Sequence, residues 1–315
     1  MRVAHDRSQS ASRDSLNLFH ARQVSRVDLA VESDSVRSSA GTEVEEVMIE
    51  TSAAPVQESW EAFMRRVREA VGGCAAPGKH AARSAMRHVE RAFAVKEIDP
   101  EGAVFHAITA EEEVATAVFH ALVRHKYAGA EALSRRVHEH KAGITLLFEA
   151  LAVLLTEVRR AHGITARLVW GEDGDQHLCI ALFAPWTGDR AIFPVPPLHF
   201  GMLMDGQRYD FTDELAKLAS VKGAKSIQAA IAKRANLRNQ VLYAAQKGIP
   251  SVNKPVDGFL MKARDRVYGH LAVFLLIDQY PERQDFVQQT VDAFLKILPR
   301  LKRNPTVRAA GVEAR

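Results

Sequence analysis

Two strongly apolar helical patterns in residues 104–158 carry ionisable side chains on faces that should be buried, and this feature most constrains the fold. On a helical wheel, Glu111 and Glu112 fall among the apolar side chains of the first pattern. His140 lies within the apolar stripe of the second pattern. Burying an unpaired charge is costly, so each of these groups needs a partner. The patterns therefore predict a helical bundle in which acids of one helix meet a histidine of the next, with arginines nearby.

An alternative interpretation of the acids is structural. The run Thr109-Ala110-Glu111-Glu112 fits a capping box, in which Glu112 reaches back to the backbone of the N-cap residue. If the helix begins at Thr109, both acids lie in its first turn, where water reaches them and the helix dipole favours them. His140 is likewise compatible with a half-exposed structural histidine near the start of its helix.

The distribution of charge and periodicity predicts three segments. Residues 1–57 contain six basic and nine acidic residues and no sustained periodicity, which is typical of a disordered leader. Residues 58–301 are predicted to form one mainly α domain, which is α+β by content: a helical bundle with a small inserted antiparallel β-meander at about 164–211. Residues 302–315 are predicted to be a frayed tail.

Periodicity and breakers place the elements within this domain. Helices are predicted from about residue 58 to the Gly72-Gly73 pair, and then at 79–95, 109–126, 134–162, 212–218, 226–247, 258–279 and 282–298. Pro100 is predicted to open a further helical segment, and Ser134 to be the N-cap of the 134–162 helix. Strands are predicted at 165–170, 177–184 and 190–195, with a hairpin formed by 202–204 and 208–211.

Composition limits the class of protein. The only cysteines, Cys74 and Cys179, form no disulfide framework, and the apolar runs are too short to span a bilayer. No charged-then-apolar leader opens the chain, so a cytoplasmic protein that does not enter a membrane is expected. Residues 58–315 carry a net charge of +7, which suits RNA or another anionic partner. The sequence has no phosphate-binding glycine-rich loop, and we expect no cofactor.

The run Arg135-Arg136-Val137-His138-Glu139-His140 resembles the pattern of an arginine, four to six residues and a histidine that many HEPN ribonucleases share. This resemblance implies metal-independent RNA cleavage. Four such pairs occur, about the number that chance predicts for this composition, so only position distinguishes them. The pair Arg135/His140 opens a long amphipathic helix next to the one that carries the acids, and Arg264/His270 ranks second. An imidazole can move the proton of a 2′-hydroxyl group, and an arginine can hold the phosphate.

A second constellation lies in the run Arg238-Asn239-Gln240-Val241-Leu242-Tyr243. Arg238 together with Tyr243 could bind phosphate, or Arg238 could neutralise an interior glutamate across the bundle. The alternative is an arginine that extends from its helix to water.

Taken in order, Ala110–Ala117, His138-Glu139-His140-Lys141 and the Arg238 run resemble the HEPN superfamily, especially AbiV-like abortive-infection proteins. The resemblance implies a helical bundle, dimerisation and a role in phage defence or RNA-directed toxicity. By matching position, it implies site residues, namely Glu112, His140, Lys141, Arg238 and Tyr243. The chain departs from the family in its β-meander and in the arginine that follows Arg135.

These observations lead to one preferred function and two alternatives. The preferred function is an RNA-targeting effector in phage defence or growth arrest, with RNA and a second copy of the chain as partners. In it, His140 is the general acid or base, Arg135 or Arg238 holds phosphate and Glu112 orients one of them. Substrate contacts are then expected from His138, Lys141 and Tyr243. The first alternative is a non-catalytic sensing module with a buried Glu-Arg-His network that binds a protein partner. The second, a metal-dependent enzyme, lacks a recognisable ligand motif, so no metal residue is assigned.

Overall fold

The computed structural model describes residues 28–30, 59–171, 177–188, 190–204, 207–211, 226–243 and 255–301. Within these ranges the α-helices are α1 (Trp60–Gly73), α2 (Gly78–Val95), α3 (Pro100–Arg124), α4 (His138–His162), α5 (Ile227–Leu242), α6 (Asp257–Asp278) and α7 (Asp285–Leu301). The protein is mainly helical, as predicted. Among the described helices, none is both long and apolar enough to cross a bilayer. The predicted helix at 212–218 and the predicted tail lie outside the described residues.

Helix α3 is the centre of the bundle. It packs against α2, α4, α5 and α6. Fourteen of its 25 residues are buried, many of them alanines that let neighbouring helices approach closely. A helix that is surrounded in this way has no wide solvent face, so polar side chains in its middle are buried together with the apolar ones.

The start of α3 decides between the two interpretations of its acids. The helix begins at Pro100, and Asp99 caps it by accepting a hydrogen bond from the backbone N–H of Gly102. Thr109 is an interior residue whose hydroxyl donates to the carbonyl oxygen of Phe105. The capping box at Thr109 is therefore wrong. Glu111 and Glu112 lie in the middle of the helix and are buried.

The N-cap of helix α4 lies three residues later than the predicted Ser134. Its first residue is His138, and its N-cap residue, Val137, makes no side-chain capping bond. Ser134 lies in the preceding turn, where its hydroxyl accepts a hydrogen bond from the backbone N–H of Arg136. The other end agrees with the prediction, because α4 ends at His162 and Gly163 adopts the left-handed conformation of a helix C-terminus.

The β structure forms two small antiparallel sheets in place of the single meander that was predicted. Strands β2 (Thr165–Trp170) and β3 (Leu178–Phe183) pair with each other. Strand β4 (Gly201–Met204) pairs with β5 (Gln207–Arg208) and with β1 (Asp28–Ala30). The strand predicted at 190–195 is reduced to one bridge between Ile192 and Leu182.

Proline explains the loss of that strand. Pro194, Pro196 and Pro197 follow Ile192 closely and have no backbone N–H to donate to a neighbouring strand.

The segment predicted as a disordered leader contributes one strand. Asp28–Ala30 form strand β1, and Ser59, just after this segment, is the N-cap of α1. The other residues of 1–57 lie outside the described part of the chain.

Gly143 allows α4 to approach α7 and α5. A Cβ atom added at Gly143 would lie 2.7 Å from the ring of Phe294 and 3.4 Å from Ile231. Both neighbours are buried, so neither can move freely into solvent. This close approach places the first turns of α4, and therefore His138 and Lys141, against the rest of the bundle.

Replacing Gly143 by alanine is expected to lower the free energy of unfolding by about 1 kcal/mol. The overpacked Phe294 ring costs about 1–3 kcal/mol, and the higher helix propensity of alanine returns about 1 kcal/mol. The matched control is Gly269→Ala in α6, because a Cβ atom there meets nothing within 4 Å. That change is expected to stabilise the protein by about 0.5–1 kcal/mol. Urea unfolding of both variants measures the difference, and effects of the same sign would contradict this account of the helix contact.

Candidate functional site

Two adjacent glutamates of α3 face different neighbours. Successive residues of a helix point about 100° apart, so Glu112 is directed at α4 while Glu111 is directed at α5 and α6. The side chain of Glu112 is 10% exposed and that of Glu111 is 8% exposed. Each acid is paired with bases from these neighbouring helices, and the result is two adjacent groups of charges between four helices.

Glu112 contacts two basic side chains at the start of α4. Its Oε1 atom lies 2.7 Å from Nδ1 of His138, and its Oε2 atom accepts a hydrogen bond of 2.9 Å from Nζ of Lys141. His138 and Lys141 are three residues apart and therefore lie on the same face of α4. On the far side of the imidazole ring, Nη1 of Arg238 from α5 lies 3.3 Å from Nε2 of His138.

These contacts define the tautomer of His138. A carboxylate oxygen only accepts hydrogen bonds, so the Nδ1 atom that faces Glu112 carries the proton. A guanidinium only donates, so the Nε2 atom that faces Arg238 is a lone-pair acceptor. In this tautomer the lone-pair nitrogen of the imidazole lies beside the positive charge of Arg238. The side chain of His138 is 40% exposed, which leaves the ring open to solvent.

Arg238 is positioned by an aromatic ring. Its guanidinium carbon lies 5.1 Å from the centroid of the Phe105 ring on α3, which is a cation–π arrangement. Its Nε atom is buried without a hydrogen-bond partner in the described part of the chain. Arg238 is therefore held in place largely by stacking, with donors available on its outer edge.

Glu111 neutralises two arginines. Its Oε2 atom is 2.5 Å from Nη2 of Arg234 on α5, and its Oε1 atom is 2.6 Å from Nη2 of Arg266 on α6. Arg234 also lies 3.5 Å from Glu149 of α4. A carboxylate shared by two guanidinium groups ties α3, α5 and α6 together, and loss of one partner would leave a buried charge unpaired.

His270 lies next to this ion cluster on α6. It is one turn from Arg266, it is buried, and its ring centroid lies 4.8 Å from that of Phe148. Burial, with the charges of Arg234 and Arg266 and against the opposing charge of Glu149, lowers the pKa of His270 to about 3. His270 is therefore neutral at physiological pH.

Four predicted site residues come together: Glu112, His138, Lys141 and Arg238. Comparisons with models of known protein families, with curated proteins and with solved structures found no match. The geometry of the site and the motif resemblance are therefore the basis for assigning a function to this chain.

The structure uses His140 and Arg135 in other contacts. Nδ1 of His140 accepts a hydrogen bond of 2.9 Å from the backbone N–H of Ser134, and the residue is buried. The guanidinium of Arg135 is exposed and lies 2.9 Å from the ring of His120. Burial, and then the charge of Arg135, lower the pKa of His120. The histidine that links Glu112 to an arginine is therefore His138, for which the sequence suggested substrate contact.

Tyr243 and the Arg264/His270 pair do not take part in the contacts between Glu112, His138 and Arg238. Tyr243 is the C-cap residue of α5 and is 64% exposed. Arg264 contacts the carboxylate of its neighbour Asp265, whereas His270 is buried in the bundle. Arg264 and His270 are six residues apart on α6, and this spacing turns their side chains to different sides of the helix.

Sequence reasoning missed Arg234, Arg266 and Glu149, and it considered His270 only as the partner of Arg264. A usable signal was present, because Arg234 and Arg238 are four residues apart on α5, and Arg266 and His270 are four residues apart on α6. Residues at this spacing share one helix face. Each pair thus places two basic side chains on one face of its helix, where acids of a neighbouring helix can meet them. In the described ranges, no three His, Cys, Asp or Glu side chains form a group that could hold a metal ion.

Proposed function

We propose that this chain is a HEPN-like protein that cleaves RNA without a metal ion, by general acid–base catalysis at His138. The observation that carries the proposal is the alignment of Glu112, His138 and Arg238, with separations of 2.7 and 3.3 Å. A neutral imidazole that is oriented by a carboxylate and lies beside a guanidinium is the arrangement that such a reaction needs.

Each group has a defined task in the reaction. Arg238 turns its Nη1 donor from Nε2 of His138 to the phosphate, which frees the lone pair of Nε2. Nε2 then takes the proton of the 2′-hydroxyl group while the 2′ oxygen attacks the adjacent phosphorus. The bond between phosphorus and the 5′ oxygen breaks, and the leaving oxygen takes a proton from water. Arg238 stabilises the negative charge that develops on the phosphate, and Glu112 stabilises the imidazolium that forms. Because the attacking group is the 2′-hydroxyl, RNA is a substrate and DNA is not.

Purified full-length protein is expected to cleave single-stranded RNA in the presence of EDTA and to leave DNA of the same sequence intact. His138→Gln is expected to lower the cleavage rate by about 10²–10⁴-fold, because the proton acceptor is lost. The matched control is His80→Gln, since His80 is an exposed histidine of α2 outside the site. Full cleavage by His138→Gln, combined with loss of cleavage in His140→Gln, would contradict the assignment of the catalytic histidine.

The cellular role that we propose follows from the motif resemblance. We infer that the chain acts as a homodimer in phage defence or growth arrest. Expression of the wild-type chain in a bacterial host is then expected to slow growth, and expression of His138→Gln to the same level is expected not to. Equal growth in the two cultures would contradict an RNA-directed toxic role.

A non-catalytic sensing module is the second candidate function. It is favoured by the complete pairing of both buried carboxylates, Glu111 with two arginines and Glu112 with Lys141 and His138. This candidate requires that the wild-type protein leaves RNA intact and that Glu112→Gln lowers the melting temperature by several degrees. RNA cleavage that depends on His138 would rule it out.

A further inference from the structure

A small cleft lies behind the Glu112–His138 pair, between α3, α4, α5 and α6. Its volume is about 50 Å³. Its polar lining comes from six side chains: Glu111, Glu112, Lys141, Thr145, Arg234 and Arg266. His138 does not belong to this lining. The cleft therefore shares Glu112 and Lys141 with the candidate functional site, and its lining contains neither His138 nor Arg238.

The lining of the cleft contains more hydrogen-bond donors than its side chains use in their present hydrogen bonds. The ammonium of Lys141 has three donors, and in the described part of the chain it uses one of them, on Glu112. The side chain of Lys141 is only 9% exposed, so its other donors face the protein interior or the cleft. The Thr145 hydroxyl, which is buried, makes one long hydrogen bond of 3.5 Å to the carbonyl oxygen of Lys141.

The charge of the lining is also unbalanced. Its bases are Lys141, Arg234 and Arg266, and its acids are Glu111 and Glu112, which leaves a net charge of +1 from three bases and two acids. Glu149 lies 3.5 Å from Arg234 but outside the lining. In a region of low dielectric constant an excess charge is costly, and a bound counter-ion relieves it. The two carboxylates in the lining are already neutralised by their own bases.

We propose that this cleft binds a small tetrahedral oxyanion, of the phosphate class. Lys141 and Thr145 supply hydrogen bonds from α4, and Arg234 and Arg266 supply positive charge from α5 and α6. A cavity that admits one water needs roughly 10–15 Å³, so a space of about 50 Å³ accommodates a group of several heavy atoms. The phosphate is either a free anion or the terminal phosphate of a nucleotide. This site does not depend on RNA cleavage at His138.

Calorimetric titration of the full-length protein with inorganic phosphate, at constant ionic strength in chloride, tests the proposal. One saturable site is expected. Lys141→Met is expected to weaken binding by about tenfold or more, because a charge-assisted hydrogen bond is lost. Thr145→Val removes one hydroxyl at nearly constant volume and is expected to weaken binding by about threefold to tenfold. The control is Lys296→Met, an exposed lysine that pairs with Asp210 outside the cleft.

Further titrations distinguish a free phosphate from a nucleotide phosphate. They also distinguish anion binding in the cleft from RNA cleavage at His138. Adenosine monophosphate that binds tighter than phosphate identifies a nucleotide phosphate, and weaker binding identifies the free anion. His138→Gln is expected to bind phosphate like the wild type, so loss of RNA cleavage and loss of anion binding are distinguishable. An absence of saturable phosphate binding to the wild type would overturn the proposal. Wild-type affinity in both Lys141→Met and Thr145→Val would overturn it as well.

Discussion

Replacing Glu111 by glutamine is expected to lower the free energy of unfolding by about 3 kcal/mol. The change keeps the size of the side chain but removes the charge that neutralises Arg234 and Arg266, whose side chains are only 20% and 26% exposed. Removing one partner of a buried ion pair costs about 3–5 kcal/mol, and the partial exposure of the arginines places the loss at the lower end. Urea unfolding followed by circular dichroism measures it.

The glutamate two residues further along the chain provides the matched control. Glu113 undergoes the same chemical change in Glu113→Gln, but it is not buried and takes part in no hydrogen bond or ion pair of the described residues. Its substitution is expected to change stability by no more than about 0.5 kcal/mol. Equal losses for Glu111→Gln and Glu113→Gln would show that the arginines do not depend on Glu111.

Acid is expected to destabilise the protein through His270. The pKa of this residue is about 3 in the folded chain and 6.5 in the ordinary, unfolded environment. Between these values the unfolded state binds more protons, so stability is fully present above pH 6.5 and falls as the pH decreases. At pH 4.5 the loss from this single residue is on the order of 2–3 kcal/mol.

A comparison of variants isolates this contribution. In His270→Gln the residue cannot be protonated, so the decrease in unfolding free energy between pH 7 and pH 4.5 should be smaller than in the wild type by that amount. Burial also lowers the pKa values of His88 and His106, and they contribute in both proteins alike. His80→Gln, at an exposed position, should keep the wild-type dependence. An unchanged slope in His270→Gln would contradict the burial of a neutral imidazole.

The site shows where pattern reasoning on this chain succeeds and where it fails. The periodicity of α3 and α4 predicted that acids and histidines share apolar faces, and the structure buries Glu111, Glu112 and His140. The same pattern did not identify His138 as the partner of Glu112. The choice between two histidines in the first turn of α4 depends on the axial position and rotation of α4 against α3, and no local pattern contains that information.

Local sequence was enough to predict the helices that the structure describes, because apolar periodicity and breakers such as Pro100 and Gly163 act within a few residues. It also predicted that buried charges would need partners, because the cost of an unpaired charge does not depend on the fold. Which base pairs with which acid depends instead on how the helices pack. Residues from α5 and α6, more than a hundred positions away from Glu111, reach it through helix packing, and packing depends on the shapes of whole surfaces.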